Sequence, residues 1–261
     1  LTDGISHDQR SVKLEPQRVP ALPGLTEPDI FRMVQVLPGV NSPDETATGI
    51  HIRGGTPDQT LVLYNDIPIY QTGHFFDMIP AINPYAIDNA KVYRGGYSSA
   101  QSGRVSGLVD ISQGDSIPLA SQKGIILNLT HVGVDFQTPI TKKKLGIFVS
   151  IRRSITDIIP SITFNRLEDR VVQGTRIGDQ REDEIIFQEV NGFAFQDASL
   201  KLVYKPNPQN QFGFSLIGLR NNLRYEAVQT EDDWIFIDNL NNSQIGGSFQ
   251  WIHNVHSRHQ I

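Results

Sequence analysis

The chain has 261 residues, 23 lysines and arginines against 28 acidic residues for a net charge of −5, 38% hydrophobic residues and no cysteine. No disulfide framework or thiolate metal site is available to it, and it lacks the clustered basic surface that a nucleic-acid partner needs. No apolar run approaches the roughly 18 residues of a transmembrane helix, whereas a transmembrane β-barrel, whose strands alternate, stays open.

The chain opens on Leu1 with no signal-peptide pattern behind it and closes on Ile261 inside an alternating run, so we expect an internal fragment of a longer precursor. Residues 1–22, polar and holding Pro16 and Pro20, read as an extended lead-in. Apolar residues from Ile30 to Leu37 at spacings of three and four predict a short helix, stopped by Pro38-Gly39. Residues 41–48 predict a loop. Short β runs follow at 50–53, 61–64 and 67–70, with Asn65-Asp66 turning the last pair. Residues 71–80 predict a loop, 84–89 a second helical segment, Ala90–Arg94 a strand closed by Gly95-Gly96, and 97–107 a glycine- and serine-rich loop leading to a strand at 108–112. These elements make an α+β unit of roughly 110 residues, an ordinary domain size.

After about Gln113 the period becomes two. Leu145, Ile147, Val149 and Ile151 share one face, and Gly146, Ser150 and Arg152 the other. Ala198, Leu200, Leu202 and Tyr204 oppose Asp197, Ser199 and Lys201. Phe212, Phe214 and Leu216 oppose Gln211, Gly213 and Ser215, and Phe249 and Trp251 oppose Ser248 and Gln250. Runs of roughly 9 to 11 residues span a bilayer when tilted. Connections at 140–144 and 206–210 are short, while 154–195 and 223–243 are long, charged and predicted to be irregular; a barrel shows this asymmetry of turns and loops. Tyr204 and Phe212 flank a short turn, where an aromatic girdle belongs. A soluble antiparallel sheet shows the same alternation, so the charged inner face, the loop lengths and the globular unit in front carry the membrane reading.

Five stretches, in order, resemble the plug domain of TonB-dependent outer-membrane receptors: Pro28 to Val40, Ile52-Arg53-Gly54-Gly55, Leu61 to Tyr70, Ala86 to Gly96, and Ser102 to Ile111. Arg53-Gly54-Gly55 with Pro57-Asp58-Gln59, and Gly73-His74-Phe75-Phe76, are most similar to receptors from the Bacteroidota. Two turns depart from the family: Asp66-Ile67 stands for its Asp-Gly, and Ser102-Gly103 for its Tyr-Gly. The resemblance implies an α+β plug domain over 23–114, followed over 115–261 by antiparallel strands of a truncated barrel, about six of some 22. It implies uptake of a siderophore, cobalamin, glycan or peptide across the outer membrane, driven by the TonB energy transducer. A SusD-like lipoprotein is a further implied partner. No TonB box is recognisable in 1–22; it, and a carboxypeptidase-like regulatory domain, would precede Leu1.

Site expectations follow from the same resemblance. Arg53 and Arg94, each before a glycine (Gly54, Gly95), would pair with carboxylates on the barrel's inner wall, since a guanidinium matches a carboxylate in two places. Asp58, Gln59, His74, Phe75 and Phe76, on apices 56–60 and 71–77, would meet ligand; the alternative for Phe75-Phe76 is packing beneath the loop. No cofactor or metal is implied. His253, His256 and His259 near the end, Asp232-Asp233 and Glu182-Asp183-Glu184 read as solvated groups, with calcium the alternative for the carboxylates. No nucleophile elbow or phosphate-cradling loop occurs, so an enzyme is not expected. The competing functions are a signal-transducing or surface-binding receptor and a soluble β-rich enzyme.

Overall fold

A computed structural model describes residues 4–8, 10–19, 27–41, 50–159, 162–167, 187–229 and 234–254. Its strands in chain order are β1 (Ile5–His7), β2 (Ser11–Leu14), β3 (Val40–Asn41), β4 (His51–Ile52), β5 (Thr60–Tyr64), β6 (Ile67–Pro68), β7 (Gly73–His74), β8 (Ile79–Pro80), β9 (Asn89–Tyr93), β10 (Gly107–Ser112), β11 (Gln122–Leu127), β12 (His131–Thr141), β13 (Leu145–Ser154), β14 (Phe187–Asn207), β15 (Asn210–Gln229) and β16 (Trp234–His253). One helix, α1 (Ile30–Gln35), stands in the first half.

The first half is a mixed sheet in the order β1-β2-β9-β10-β5-β6, with β10 parallel to β5 and antiparallel to β9. Every residue of β5 is buried, as its unbroken apolar run requires of a central strand. Helix α1 starts where Asp29 Oδ1 accepts from the Phe31 and Arg32 amides at 2.8 and 3.2 Å, and it buries Ile30, Phe31, Met33 and Val34 against the sheet. Asn65 and Asp66 both take left-handed φ, 48° and 66°, turning β5 into β6 as a primed hairpin. The departure from Asp-Gly therefore costs little, because Asn and Asp tolerate this region. Part of the stretch read as a lead-in is built into the sheet: Ser11–Leu14 pairs with β9, and β1 pairs with β2. The segment expected to be helical at 84–89 is one 3-10 turn, Pro84–Ala86, after which Asn89 already belongs to β9.

The second half is an antiparallel meander from β11 to β16 in chain order. Inward residues of β13–β15 are buried, among them Ser150, Arg152, Ser199, Lys201, Val203, Ser215 and Ile217. Outward ones are open, as Ile151, Tyr204, Phe214, Leu216, Phe249 and Trp251 show. Tyr204, Phe212 and Trp251 stack across three strands with centroids 6.2 and 6.0 Å apart beside the short turn.

Of the two expected loops, 223–243 is largely strand, and 154–195 is strand at its end. β14 begins at Phe187, and β15 and β16 stay paired from Leu223↔Leu240 to Gln229↔Trp234. Strands of 20 and 21 residues extend about 65 Å at ~3.3 Å per residue, far beyond a hydrocarbon core of ~30 Å. Along residues 234–240 the sequence lacks apolar/polar alternation, yet the backbone ladder continues. The β11–β12 connection is also tight, closed by Asn128 Oδ1 accepting from the Thr130 and His131 amides. Alternation of short and long connections therefore does not hold at that strand pair.

Candidate functional site at the plug and wall seam

The inner face of β13–β16 is the surface on which the first half docks. The main core cluster runs from α1 and the plug sheet directly into Ile217 and Leu219 of β15. A polar seam continues it. Tyr64 Oη lies 2.8 Å from Gln113 Oε1 and 3.1 Å from Ser199 Oγ. Lys201 Nζ donates to Asn65 Oδ1 at 3.0 Å and pairs with Asp115 at 2.8 Å. Asn83 Nδ2 donates to Ser150 Oγ, and Ser248 Oγ donates to the Asn65 carbonyl.

At the middle of the seam sits a buried ionic cluster. Arg152, 1% exposed, donates from Nε and Nη2 to Asp197, from Nη2 to the Pro80 carbonyl at 2.6 Å, and from Nη1 to Glu27 Oε1 at 3.4 Å. The other oxygen of Glu27 faces His131 Nε2 at 3.3 Å. His74, on β7, points one ring nitrogen at Asn221 Oδ1 and the other at Asp197 Oδ2, 3.3 Å away, and stacks on Phe195 at 4.2 Å. Burial pushes the His74 pKa below its ordinary value, against the pull of the Asp197 carboxylate. Glu27, Pro80 and His74 come from the plug; Arg152, Asp197, His131 and Asn221 come from the wall. A buried charge is tolerable only when paired in this way.

Beside the cluster, Phe75 packs with Phe164, Phe193, Phe195 and Ile79. It opens a left-handed run of three non-glycine residues, Phe75, Phe76 and Asp77, with φ of 48°, 53° and 60°. Each left-handed residue costs about 1–2 kcal/mol, so the wall contacts of His74 and Phe75 hold this turn in place.

The expected ligand contacts therefore divide. His74 and Phe75 are buried against the wall, and Phe76 is half-buried beside them; the packing alternative is the one the structure shows for Phe75. Asp58 is exposed and lines a cleft of about 340 Å³ with Tyr70, Asp77 and Arg104. Gln59 Oε1 accepts from the Thr56 amide of its own turn at 3.4 Å, and its backbone carbonyl accepts from the Val105 and Ser106 amides. Burial pushes Asp77 up to about 6.

Among the described residues, neither Arg53 nor Arg94 pairs with a carboxylate of these six strands. Arg53 Nη1 donates to the Arg94 carbonyl at 3.0 Å, and Arg94 Nη1 donates to the Pro38 carbonyl at 2.6 Å; no ion pair reaches either among the described residues. The guanidiniums instead close the ends of plug strands. Gly95, at φ 130°, permits this, because a Cβ there would lie 2.6 Å from Arg53 Nη1. Arg152, Glu27 and Asp197 form the ion pairs of the buried cluster, with the cation on the wall, and the sequence reading placed Arg152 and Asp197 on the polar inner face. Glu27 carried no sequence signal beyond its place two residues before the Asp29 cap. The carboxylate runs at 182–184 and 232–233, and His256 and His259, lie outside the described residues.

The family model of the TonB-dependent receptor plug domain matches residues 25–108. No curated protein sequence matches the chain. Among solved structures, the siderophore receptor PirA from Pseudomonas aeruginosa is similar at TM-score 0.50 and 15% identity, over 97% of this chain and 48% of that one. The ferric enterobactin receptor PfeA from Pseudomonas aeruginosa, in complex with enterobactin, is similar at TM-score 0.51 and 13% identity, over 94% and 41%. The copper transporter OprC is similar at TM-score 0.51 and 10% identity, over 94% and 38%. The chain spans less than half the length of each. Residues 25–108 thus match a TonB-dependent receptor plug domain, and the chain shares the fold of these structures, a plug-type domain docked on antiparallel strands.

Proposed function

We propose that this chain is the plug and opening wall of a TonB-dependent receptor in the outer membrane, which takes up a small nutrient ligand and is not an enzyme. The observation that carries the reading is the seam, where a plug-type domain is fixed to the polar inner face of strands whose outer face is apolar. A barrel of about 22 strands has an open lumen that must be plugged. Siderophores, cobalamin, glycans and peptides all suit such a receptor, and ferric chelates and copper are the first probes, given the structural neighbours. Arg53 and Arg94 would pair with carboxylates on wall strands other than these six, and Asp58 would meet ligand from its exposed cleft. The Bacteroidota-like motifs around Arg53 and His74 add a SusD-like lipoprotein as partner.

The test is accumulation of labelled ligand by cells bearing the receptor, with and without a functional TonB transducer. We expect ligand to bind in both and to accumulate only with the transducer. Equal accumulation in both strains would overturn the reading.

A further inference from the structure

Glu27 leaves one atom at the seam unaccounted for. Its Oε1 accepts from Arg152, but its Oε2 is buried and has no hydrogen-bond partner among the described residues. That oxygen faces Nε2 of His131, itself fully buried, at 3.3 Å.

The bonds around His131 fix which of its nitrogens carries hydrogen. Asn128 Oδ1 accepts from the Thr130 amide, the Thr130 hydroxyl and the His131 amide, so the Asn128 amide has one orientation. Its Nδ2 therefore donates to His131 Nε2 at 3.1 Å. The Thr130 hydroxyl spends its proton on Asn128, so its oxygen accepts from His131 Nδ1 at 3.0 Å. Nε2 thus turns a lone pair toward Glu27 Oε2. Two acceptors facing each other away from water are costly unless a proton lies between them.

The charge balance of the cluster asks for the same proton. Arg152 brings one positive charge against the two carboxylates Glu27 and Asp197. His74, beside Asp197, is held toward its neutral form by burial. On the plug side Asp29 and Tyr85 face Glu27, and neither supplies a positive charge. One proton at Glu27 and His131 removes the surplus negative charge from a site where an unpaired charge is expensive.

We propose that one proton is held between Glu27 Oε2 and His131 Nε2 while the plug is docked, and is released when plug and wall separate. The seam is then a proton-binding site, whichever ligand the receptor carries. The docked form holds the extra proton, so full separation of plug from wall is favoured as pH rises above about 6.5, where a solvated imidazole loses its charge.

The test uses the full-length receptor, folded in detergent and then unfolded by denaturant at about pH 8 in weakly buffered solution with a pH indicator; a solvated glutamate and histidine hold no proton there. Wild type should release about one proton per chain more than Glu27→Gln, whose amide donates to His131 Nε2 without titrating. His131→Gln, whose amide donates to the Glu27 carboxylate, should lose the same proton independently. The double variant should lose no more than either single variant, because both remove one shared proton. Equal release by wild type and either single variant, or single losses that add in the double, would overturn the proposal. Ligand accumulation is not read, so this result and that of the uptake experiment stand apart.

Discussion

Asp29 shows how one carboxyl serves two ends. It caps α1, yet burial pushes its pKa up to about 6. Replacing it with alanine removes the cap and should cost about 1 kcal/mol, seen as faster amide exchange in α1; Asp29→Asn keeps the acceptor and should not. Asp77 is raised to about 6 by the same cause. For an acid whose folded pKa lies above its unfolded one, the folded state holds more protons between about pH 4 and 6. Local stability around both residues should therefore fall as pH rises through that window and level off above it. His74 has the opposite shift, so its contribution is lost as pH falls below its ordinary value of about 6.5. Opening free energies from hydrogen exchange across this range should show both limbs, and Asp29→Asn combined with Asp77→Asn should flatten the first while leaving the second. The residue scale is where the sequence was least informative. His74 and Phe75 were conspicuous side chains in a loop motif, and nothing local distinguishes a ligand contact from a wall contact. The partners that decide it, Asp197, Asn221 and Phe193, lie more than a hundred positions away.

The elements of the plug were legible because each is set by short-range chemistry: the Asp29 cap, the Pro38-Gly39 stop, and the Asn65-Asp66 turn. The ladder of β15 and β16 beyond Leu223 was not, because the run from Trp234 to Ile237, followed by Asp238-Asn239, lacks the period of two that identifies a half-buried strand. What joins the elements is the ionic seam. Arg152→Ala would leave Asp197 and Glu27 buried without their cation, a loss of about 3–5 kcal/mol. Denaturant titration of the receptor in detergent should show it as early release of the plug, with the 73–80 turn losing exchange protection first. Arg152→Met combined with Asp197→Leu and Glu27→Gln removes the charges of the whole triad and should recover most of that stability. Equal stability of Arg152→Ala and wild type would mean that the apolar core through Ile217 and Leu219 suffices for docking.

For the molecule as a whole, the alternation of β14 assigns opposite faces to neighbouring residues: Asp197, Ser199, Lys201 and Val203 toward the plug-type domain, and Ala198, Leu200, Leu202 and Tyr204 outward, toward lipid in the proposed reading. That two-sidedness was readable from the sequence; which soluble or membrane solvent lay outside needed the plug motifs in front of it. The chain contains no cysteine, so single cysteines introduced at positions 197 to 204 can each carry one spin label. In receptor reconstituted into vesicles, power-saturation measurements should give oxygen accessibility with a period of two, high at Ala198→Cys, Leu200→Cys and Leu202→Cys and low at Ser199→Cys and Lys201→Cys. Accessibility without that period, or highest at the odd positions, would contradict a plug docked on the inner face of a membrane barrel.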